Sequence, residues 1–154
     1  MAHNNEIFIG ADHQGFELKN ILRDWLTEQG HTVTDFGPEK IDTNDDYPDY
    51  GLRVAEAVAQ KPNERLGILI CASGVGMAVA ADKVKGVRAG LIHHPLIARA
   101  ARADDNINVL ALGAQYISAD EAKEVVKAWL ETPFSGAERH QRRLDKIQHY
   151  EQAH

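Results

Sequence analysis

The sequence predicts an α/β fold in which a parallel sheet lies between two layers of helices. Five short apolar runs of strand length alternate along the chain with amphipathic stretches of helix length. Strands that are joined through helices lie parallel, with right-handed crossovers. The length of 154 residues is typical of one domain. We therefore expect a single domain over residues 1–154, a three-layer α/β/α sandwich around a five-stranded parallel Rossmann-like sheet, whose strand order the pattern leaves open.

The first unit is a strand over residues 6–11 followed by a helix over 14–29. Gly30 ends this helix, because glycine readily takes the left-handed conformation found after helix C-termini. The helix is amphipathic. Its predicted buried face consists mostly of Phe16, Ile21, Leu22, Trp25 and Leu26.

The second strand, over 31–36, leads through an acidic loop into a helix over 47–60, where Pro48 suits the first turn. The third strand covers 66–71 and is followed by a short helix over 74–83. The continuous apolar run of the third strand is typical of a buried strand.

Two further strands, over 87–92 and 108–112, flank a helix over 95–103. The next helix begins after Ser118, and Glu121 completes a capping box with that serine. These elements complete five β-α units, which is the repeat expected of a parallel sheet.

Composition and charge exclude several classes of partner. The chain has 17 Lys and Arg against 23 Asp and Glu, a net charge of −6, which disfavours nucleic acid as the main partner. No apolar run reaches membrane-spanning length, and residues 1–6 lack the apolar segment of a signal peptide. A lone cysteine cannot form an internal disulfide and fits a reducing compartment. We expect a cytoplasmic protein that binds neither nucleic acid nor membrane.

The most informative segment places the only cysteine, Cys71, between the third strand and a glycine-rich turn that opens a helix. In open α/β sheets, ligands bind at the carboxyl ends of the strands. A helix N-terminus favours anions, including the thiolate form of cysteine. An isolated cysteine is more often a small apolar residue of the core. A core strand needs no Ser-Gly-Val-Gly loop after it, however, so the sequence favours a functional thiol at Cys71.

Other polar residues follow the first and fourth strands. Asp12 and His13 end the first strand, where Asp12 is equally consistent with a helix cap and His13 with a surface histidine. His93 and His94 end the fourth strand, but neighbours on a strand point to opposite faces, so they do not form a metal pair. With one cysteine and no His-x-x-x-His spacing, the sequence predicts no metal site.

The last helix, over 137–152, is charged and carries Arg139 and Arg143 four residues apart on one face. Two guanidinium groups on one face suit a phosphate. The common alternative for such a run is a solvated basic face that is balanced by Glu138 and Asp145.

Six segments of the chain form an ordered set of motifs. They are residues 10–19, 46–48, 70–76, 86–89, 108–113 and 139–143. Together they resemble the family of type B ribose-5-phosphate isomerases and galactose-6-phosphate isomerases over nearly the whole chain. The resemblance implies an aldose–ketose isomerase that works through a cis-enediolate without metal or cofactor. Its default reaction is the conversion of ribose 5-phosphate to ribulose 5-phosphate.

The resemblance also implies roles for individual residues. It makes Cys71 the base that moves a proton between C1 and C2, and Ser73 the residue that helps to move protons between the oxygens. It assigns Asp12 and His13 to substrate binding. The backbone N–H groups that would stabilise the enediolate oxygen are those of Gly74, Val75, Gly76 and Met77.

The same resemblance implies that two subunits share each site. Arg139 and Arg143 match phosphate ligands that come from the neighbouring subunit, so the last helix is expected to reach the partner. The partners implied are therefore a phosphorylated sugar and a second copy of the chain, in a homodimer or in a tetramer built from two dimers.

The sequence departs from the family pattern in two places. The usual His-Asn pair, whose histidine opens the sugar ring, aligns with Asp104 and Asp105, and an ionised aspartate is a poor acid for a ring oxygen. Gln115 stands where many relatives have a phosphate-binding arginine. Both changes concern substrate recognition and spare Cys71. We still place Asp104 and Asp105 in the site, as a catalytic and a substrate-binding residue, and leave galactose or allose 6-phosphate and tetrose 4-phosphate open as substrates.

A different class of function is a non-catalytic flavodoxin-like domain that binds a nucleotide or transmits a signal. A phosphoacceptor domain needs an aspartate at the end of the third strand, where this chain has Cys71. A P-loop needs Gly-Lys-Ser or Gly-Lys-Thr, and the chain has neither. The sequence therefore favours the isomerase.

Overall fold

A parallel sheet of five strands forms the centre of the protein. The computed structural model describes residues 4–154, so the first three residues of the polar start lie outside the described residues. The strands are β1 (Glu6–Ala11), β2 (Thr32–Asp35), β3 (Arg65–Cys71), β4 (Ala89–Leu91) and β5 (Val109–Gly113). Their order is β2-β1-β3-β5-β4, and all neighbouring pairs are parallel. The predicted sheet is confirmed.

Six helices accompany this sheet within residues 4–154. They are α1 (Phe16–Glu28), α2 (Tyr47–Ala59), α3 (Val75–Ala81), α4 (Pro95–Asp105), α5 (Ala119–Glu131) and α6 (Glu138–Ala153). One core cluster packs α1, α4 and α5 on one face of the sheet, and a second packs α2 and α3 on the other. The predicted three-layer sandwich is therefore confirmed. No described helix combines the length and the apolar character needed to span a membrane.

The alternation of side chains along β3 decides which face Cys71 occupies. Ile68 and Ile70 are buried in the cluster under α1 and α5, whereas Leu69 and Cys71 belong to the cluster under α2 and α3. Successive residues of a strand point to opposite faces. The thiol therefore lies on the same face of the sheet as α3, the helix that follows it.

The first helix differs from the prediction at its start and on its buried face. Residues His13–Gly15 form a separate 3-10 turn, capped by the side chain of Asp12, and α1 begins only at Phe16. Ile21 is 43% exposed, so its predicted place in the core was wrong. Residues four apart share a stripe on a helix, and Ile21 falls beside the stripe that this helix buries. That stripe consists of Leu18, Leu22 and Leu26.

A charged residue lies in the buried face of α1. Lys19 is fully buried, and its Nζ donates to Asp35 Oδ2 over 2.7 Å at the end of β2. Arg23 donates to the same oxygen over 2.9 Å, and the N–H of Gly37 donates to Oδ1 over 2.7 Å. Burial alone would raise the pKa of Asp35, but these three donors bring it below its ordinary value. The helical pattern does not reveal this pair, because most lysines on helices are solvated.

The elements around β4 also differ from the prediction. β4 has three residues instead of the six predicted over 87–92, because it is an edge strand that pairs only with β5. α4 runs on to Asp105 and ends where Asn106 takes a φ of 47°. Asp104 and Asp105 therefore belong to the last helical turn and not to a loop that precedes β5.

Candidate active site

Cys71 lies at the carboxyl end of β3, between the ends of β1 and β5. The N–H of Asp12 donates to Ile70 O over 3.2 Å, and the N–H of Ala114 donates to Cys71 O over 2.9 Å. The cysteine is free and 5% exposed. The strand order thus gathers three strand ends around the thiol, which is where a parallel α/β sheet binds its ligands.

Close packing fixes the loop that follows Cys71. Gly74 has a φ of 80°, and a Cβ built on it would lie 2.6 Å from Leu91 Cδ1. Only glycine meets both constraints. Ser73 Oγ accepts the N–H of Val75 over 3.3 Å. The loop therefore turns the chain directly from the thiol into the first turn of α3.

The first turn of α3 offers N–H groups to a ligand. The first N–H groups of a helix have no carbonyl partner inside the helix, and those of Gly76 and Met77 donate to none of the described residues. A Cβ on Gly76 would lie 2.6 Å from Cε1 and Cζ of Tyr47, so the tyrosine ring covers this turn. Tyr47 is a site residue that the sequence reasoning missed. Its only signal was the Asp-Tyr-Pro segment within the family motifs.

Asp12 caps the 3-10 turn His13–Gly15 and also lies next to β3, the strand that ends in Cys71. Its Oδ1 accepts the N–H groups of Gln14 and Gly15 over 3.0 and 3.2 Å. Burial raises the pKa of Asp12, although these two hydrogen bonds oppose the shift. The capping role considered for Asp12 from sequence is confirmed, and the cap places its carboxylate beside the end of β3.

His13 forms a tight pair with Asp45 of the acidic loop, residues 37–46. The ring Nδ1 lies 2.6 Å from Asp45 Oδ1, and the N–H of His13 donates to the same oxygen over 3.2 Å. The hydrogen bond with Asp45 raises the pKa of His13 above its ordinary value. Sequence reasoning missed Asp45, because a loop aspartate 32 residues away carries no pattern that points to His13.

The side chains of Asp12, His13 and Asp45 also lie close enough together to be considered as metal ligands. One donor atom from each lies within 4.8 Å of the others. However, His13 Nδ1 and Asp45 Oδ1 are already bonded to each other, and Asp12 Oδ1 is occupied by two backbone donors. The geometry fits an ion pair beside a capped turn better than it fits a cation site.

The two adjacent histidines after β4 have structural partners. His93 Nε2 accepts the N–H of Gly113 over 2.9 Å, and His94 Nδ1 accepts the N–H of Leu96 as the N-cap of α4. Their ring nitrogens thus bond to different elements. β4 is an edge strand, and β5 lies between it and β3, so His94 follows a strand that does not pair directly with β3.

Four of the predicted site residues lie toward the amino ends of the strands, whereas the thiol lies at the carboxyl ends. α4 starts after the carboxyl end of β4 and runs back over 11 residues, about 16 Å at the rise of an α-helix. The N–H of Ser135 donates to Ala103 O over 3.0 Å, which brings the start of α6 to the same place. Within one chain, the fold therefore keeps four predicted site residues apart from Cys71. They are Asp104, Asp105, Arg139 and Arg143.

The first turns of α6 present two arginines without acidic partners. Arg139 and Arg143 are exposed, and neither forms an ion pair with any of residues 4–154. Glu138 pairs instead with Arg142 over 3.5 Å, and Asp145 accepts from Gln141 over 2.8 Å. The balanced basic face considered from sequence is therefore not formed at these two arginines.

On the inner side of the same helix, a buried histidine reaches Asp104. His140 Nδ1 lies 2.8 Å from Ser135 Oγ, and His140 Nε2 lies 3.6 Å from Asp104 Oδ1. Gln115, at the end of β5, is exposed and makes only a long contact of 3.5 Å with Gln14.

A parallel α/β sheet with a thiol at the carboxyl ends of its strands is typical of enzymes that bind small ligands at those ends. The family model described as Ribose/Galactose Isomerase matches residues 7–147. The chain belongs to this ribose/galactose isomerase family.

Individual relatives are similar over almost their full length. A probable ribose-5-phosphate isomerase B of Mycoplasma genitalium is 46% identical, over 94% of this chain and 95% of the relative. A D-erythrulose-4-phosphate isomerase of Pectobacterium atrosepticum is 40% identical, over 94% of each chain. The crystal structure of the Mycoplasma genitalium ribose-5-phosphate isomerase B with bound ribulose 5-phosphate matches with a TM-score of 0.94 and 44% identity. It covers 97% of this chain and 99% of that one. The prediction of a sugar-phosphate isomerase family is confirmed.

Proposed function

We propose that this protein interconverts ribose 5-phosphate and ribulose 5-phosphate through a cis-enediolate, with Cys71 as the base. The observation that carries the proposal is the position of the thiol, enclosed by three strand ends and followed at once by the N–H groups of α3. The name and bound ligand of the Mycoplasma genitalium structure support this substrate. A cytoplasmic location belongs to the same proposal, because a free thiol base needs a reducing compartment.

The chemistry follows from the groups around the thiol. The thiolate of Cys71 takes the proton from C2 of the open-chain aldose, and the electron pair moves into the C1–C2 bond while O1 takes up negative charge. The N–H groups of Gly76 and Met77 stabilise that charge. Ser73 carries the proton from the C2 hydroxyl to O1, and the Cys71 thiol returns its proton to C1. The ketose and the free thiolate result, so the reaction needs no redox partner.

We propose further that the site is shared between the subunits of a homodimer, or of a tetramer built from two dimers. Arg139 and Arg143 are exposed and unpaired by acidic groups of the described chain, but lie at the edge of the sheet away from Cys71. A second copy that brings α6 to the carboxyl edge would supply two guanidinium groups for the phosphate and would place Asp104 and Asp105 near the sugar.

A tetrose 4-phosphate is the second candidate substrate, and Asp104 favours it. A furanose phosphate needs an acid that opens the ring, and an exposed carboxylate 3.6 Å from His140 Nε2 is a poor donor. A tetrose 4-phosphate cannot close a furanose, because its terminal oxygen is phosphorylated. The similarity to the D-erythrulose-4-phosphate isomerase supports the same candidate.

The test is a comparison of kcat/KM for tetrose 4-phosphate, ribose 5-phosphate, and galactose and allose 6-phosphates. The main proposal expects ribose 5-phosphate to be the best substrate. If a tetrose phosphate is better, Asp104→His should raise the activity on ribose 5-phosphate and leave the activity on the acyclic tetrose nearly unchanged. Activity on none of these compounds would refute the proposed function and favour a binding domain.

A further inference from the structure

The acidic loop folds over the turn that carries His13. Asp45 of this loop has a side chain that is only 5% exposed, and one of its oxygens bonds to both the backbone and the ring of His13. A single carboxylate therefore sets both the position of the turn and the rotation of the imidazole.

The burial of Asp45 requires a compensating charge. A buried carboxylate is costly unless it is paired and hydrogen-bonded. Asp45 Oδ2 is buried and accepts no hydrogen bond of standard geometry within the described part of the chain, although the Tyr50 hydroxyl lies close to this carboxylate. Among these residues His13 is the only basic side chain that pairs with Asp45. Contact with Asp45 therefore favours the imidazolium form of His13.

Acidic groups surround His13 on both elements that face it. The largest influence on its pKa is the hydrogen bond from Asp45, which raises it; partial burial acts in the opposite direction. The charges of Asp12, on the same turn, and of Asp42, in the acidic loop, raise it further. Tyr50 of α2 also faces Asp45. Burial is the largest influence that raises the pKa of its phenol, and the charge and close contact of Asp45 raise it further.

The second ring nitrogen of His13 is left for a ligand. Nδ1 is held by Asp45, whereas Nε2 forms no hydrogen bond with residues 4–154, and the side chain is 23% exposed. His13 follows directly after Asp12, whose N–H bonds to the strand that ends in Cys71. Nε2 of His13 thus lies at the carboxyl ends of the strands, free to meet a ligand.

We propose that Asp45 is a positioning residue, which holds His13 as an imidazolium whose Nε2–H donates to a negatively charged oxygen of the sugar phosphate. This proposal rests on the proposed function for the identity of the ligand. The state of the His13–Asp45 pair is independent of the proposed function, because the pair exists in the free protein.

The first measurement follows the histidine side chains by NMR during a pH titration of the free protein. In the wild type, His13 should titrate above the ordinary histidine value of about 6.5. Asp45→Asn should bring the titration of His13 down toward that ordinary value. The control Asp42→Asn removes the same charge from the same loop without contact to the ring, so it should lower the titration of His13 less. A wild-type His13 that titrates no higher than the ordinary histidine value would overturn the proposal without any variant.

The second measurement is the pH dependence of KM and kcat. Asp45→Asn should lower kcat/KM about tenfold near neutral pH, the size expected for one charge-assisted hydrogen bond. The rise of KM with pH should begin at a lower pH than in the wild type, which a merely structural role would not produce. In a His13→Gln background, Asp45→Asn should have no further effect on this profile. If both KM and kcat keep their wild-type pH profiles in Asp45→Asn, Asp45 does not position His13.

Inhibition by inorganic phosphate identifies the oxygen that is bound. If the Asp45→Asn variant binds phosphate more weakly, Nε2 of His13 meets the phosphate. If phosphate inhibition is unchanged and kcat falls, Nε2 meets the reacting end of the sugar. Either result supports the proposal, whereas unchanged phosphate inhibition, kcat and KM contradict it. If the protein acts on no sugar phosphate but His13 shows the expected titration, the proposed function is refuted. The interaction of Asp45 with His13 is still supported.

Discussion

Two impaired variants of this protein should restore activity when they are mixed, if two chains build each site. Cys71→Ala removes the base, and general base catalysis contributes about 10²–10⁴-fold. Arg143→Ala removes a charged phosphate contact, worth about 1.5–3 kcal/mol, which lowers kcat/KM by about ten- to a hundredfold. Cys71 lies at the carboxyl ends of the strands, whereas α4 carries the chain about 16 Å back toward their other end, beside the start of α6.

The size of the recovery follows from symmetry. In a mixed dimer, one site carries both substitutions, and the other combines an intact Cys71 with an intact Arg143. Random re-association of equal amounts makes about half of the dimers mixed, so the recovered activity approaches about one quarter of the wild-type value. This exceeds the residual activity expected from Arg143→Ala alone.

The assay unfolds the two variants together, refolds them by dilution and measures isomerisation of the best substrate. Mass spectrometry of the intact dimers verifies that mixed dimers have formed. As a control, Cys71→Ala is mixed with the double variant Cys71→Ala/Arg143→Ala, which provides no thiol and should stay inactive. Mixed dimers without any recovery of activity would refute the shared site and show that one chain builds the whole of it.

Three further predictions concern single positions. Cys71→Ala should lower kcat about 10²–10⁴-fold while the circular dichroism spectrum stays unchanged, since the residues are similar in size; a variant with wild-type kcat would exclude the thiol as base. Lys19→Ala should lower the unfolding free energy, measured in urea, by about 3 kcal/mol, because it leaves a cavity and a poorly paired Asp35. Lys19→Met should lower it less, because methionine fills the space; equal losses in the two variants would contradict this. Donors lower the pKa of Asp35, so its contribution is present above the ordinary value of about 3.9 and is lost as the pH falls through the lower folded value. Asp35→Asn should therefore flatten the acid-induced decline of the unfolding free energy, and an unchanged slope would argue against it.

Local patterns in the sequence were sufficient for the elements of the fold. The capping box of Ser118 and Glu121 forms as predicted, and Pro48 lies in the first turn of α2. These features depend on residues three or four positions apart, so the chain needs no tertiary contact to specify them. Element ends were less certain, because β4 and the start of α1 depend on the neighbouring strand and on a side-chain cap.

The same reasoning found the thiol but not its surroundings. Cys71 stands out because a strand, a lone cysteine and a glycine turn follow one another directly. Tyr47 over Gly76 and Asp45 on His13 are contacts between residues far apart in the chain. No periodicity connects such residues, since their distance depends on the path of the intervening helices and loops.

The sequence by itself determined the class of fold, the alternation of its elements and the carboxyl-edge thiol, because each of these follows from local propensity and hydrophobic period. Only the tertiary structure decided the strand order, the burial of Lys19, and the separation of Cys71 from Asp104 and the arginines of α6. The physical reason is that α4 runs antiparallel to the strands, so residues at its two ends reach opposite edges of the sheet. Residues that the family resemblance assigns to one site therefore lie about one helix length apart along the strand direction within a single chain.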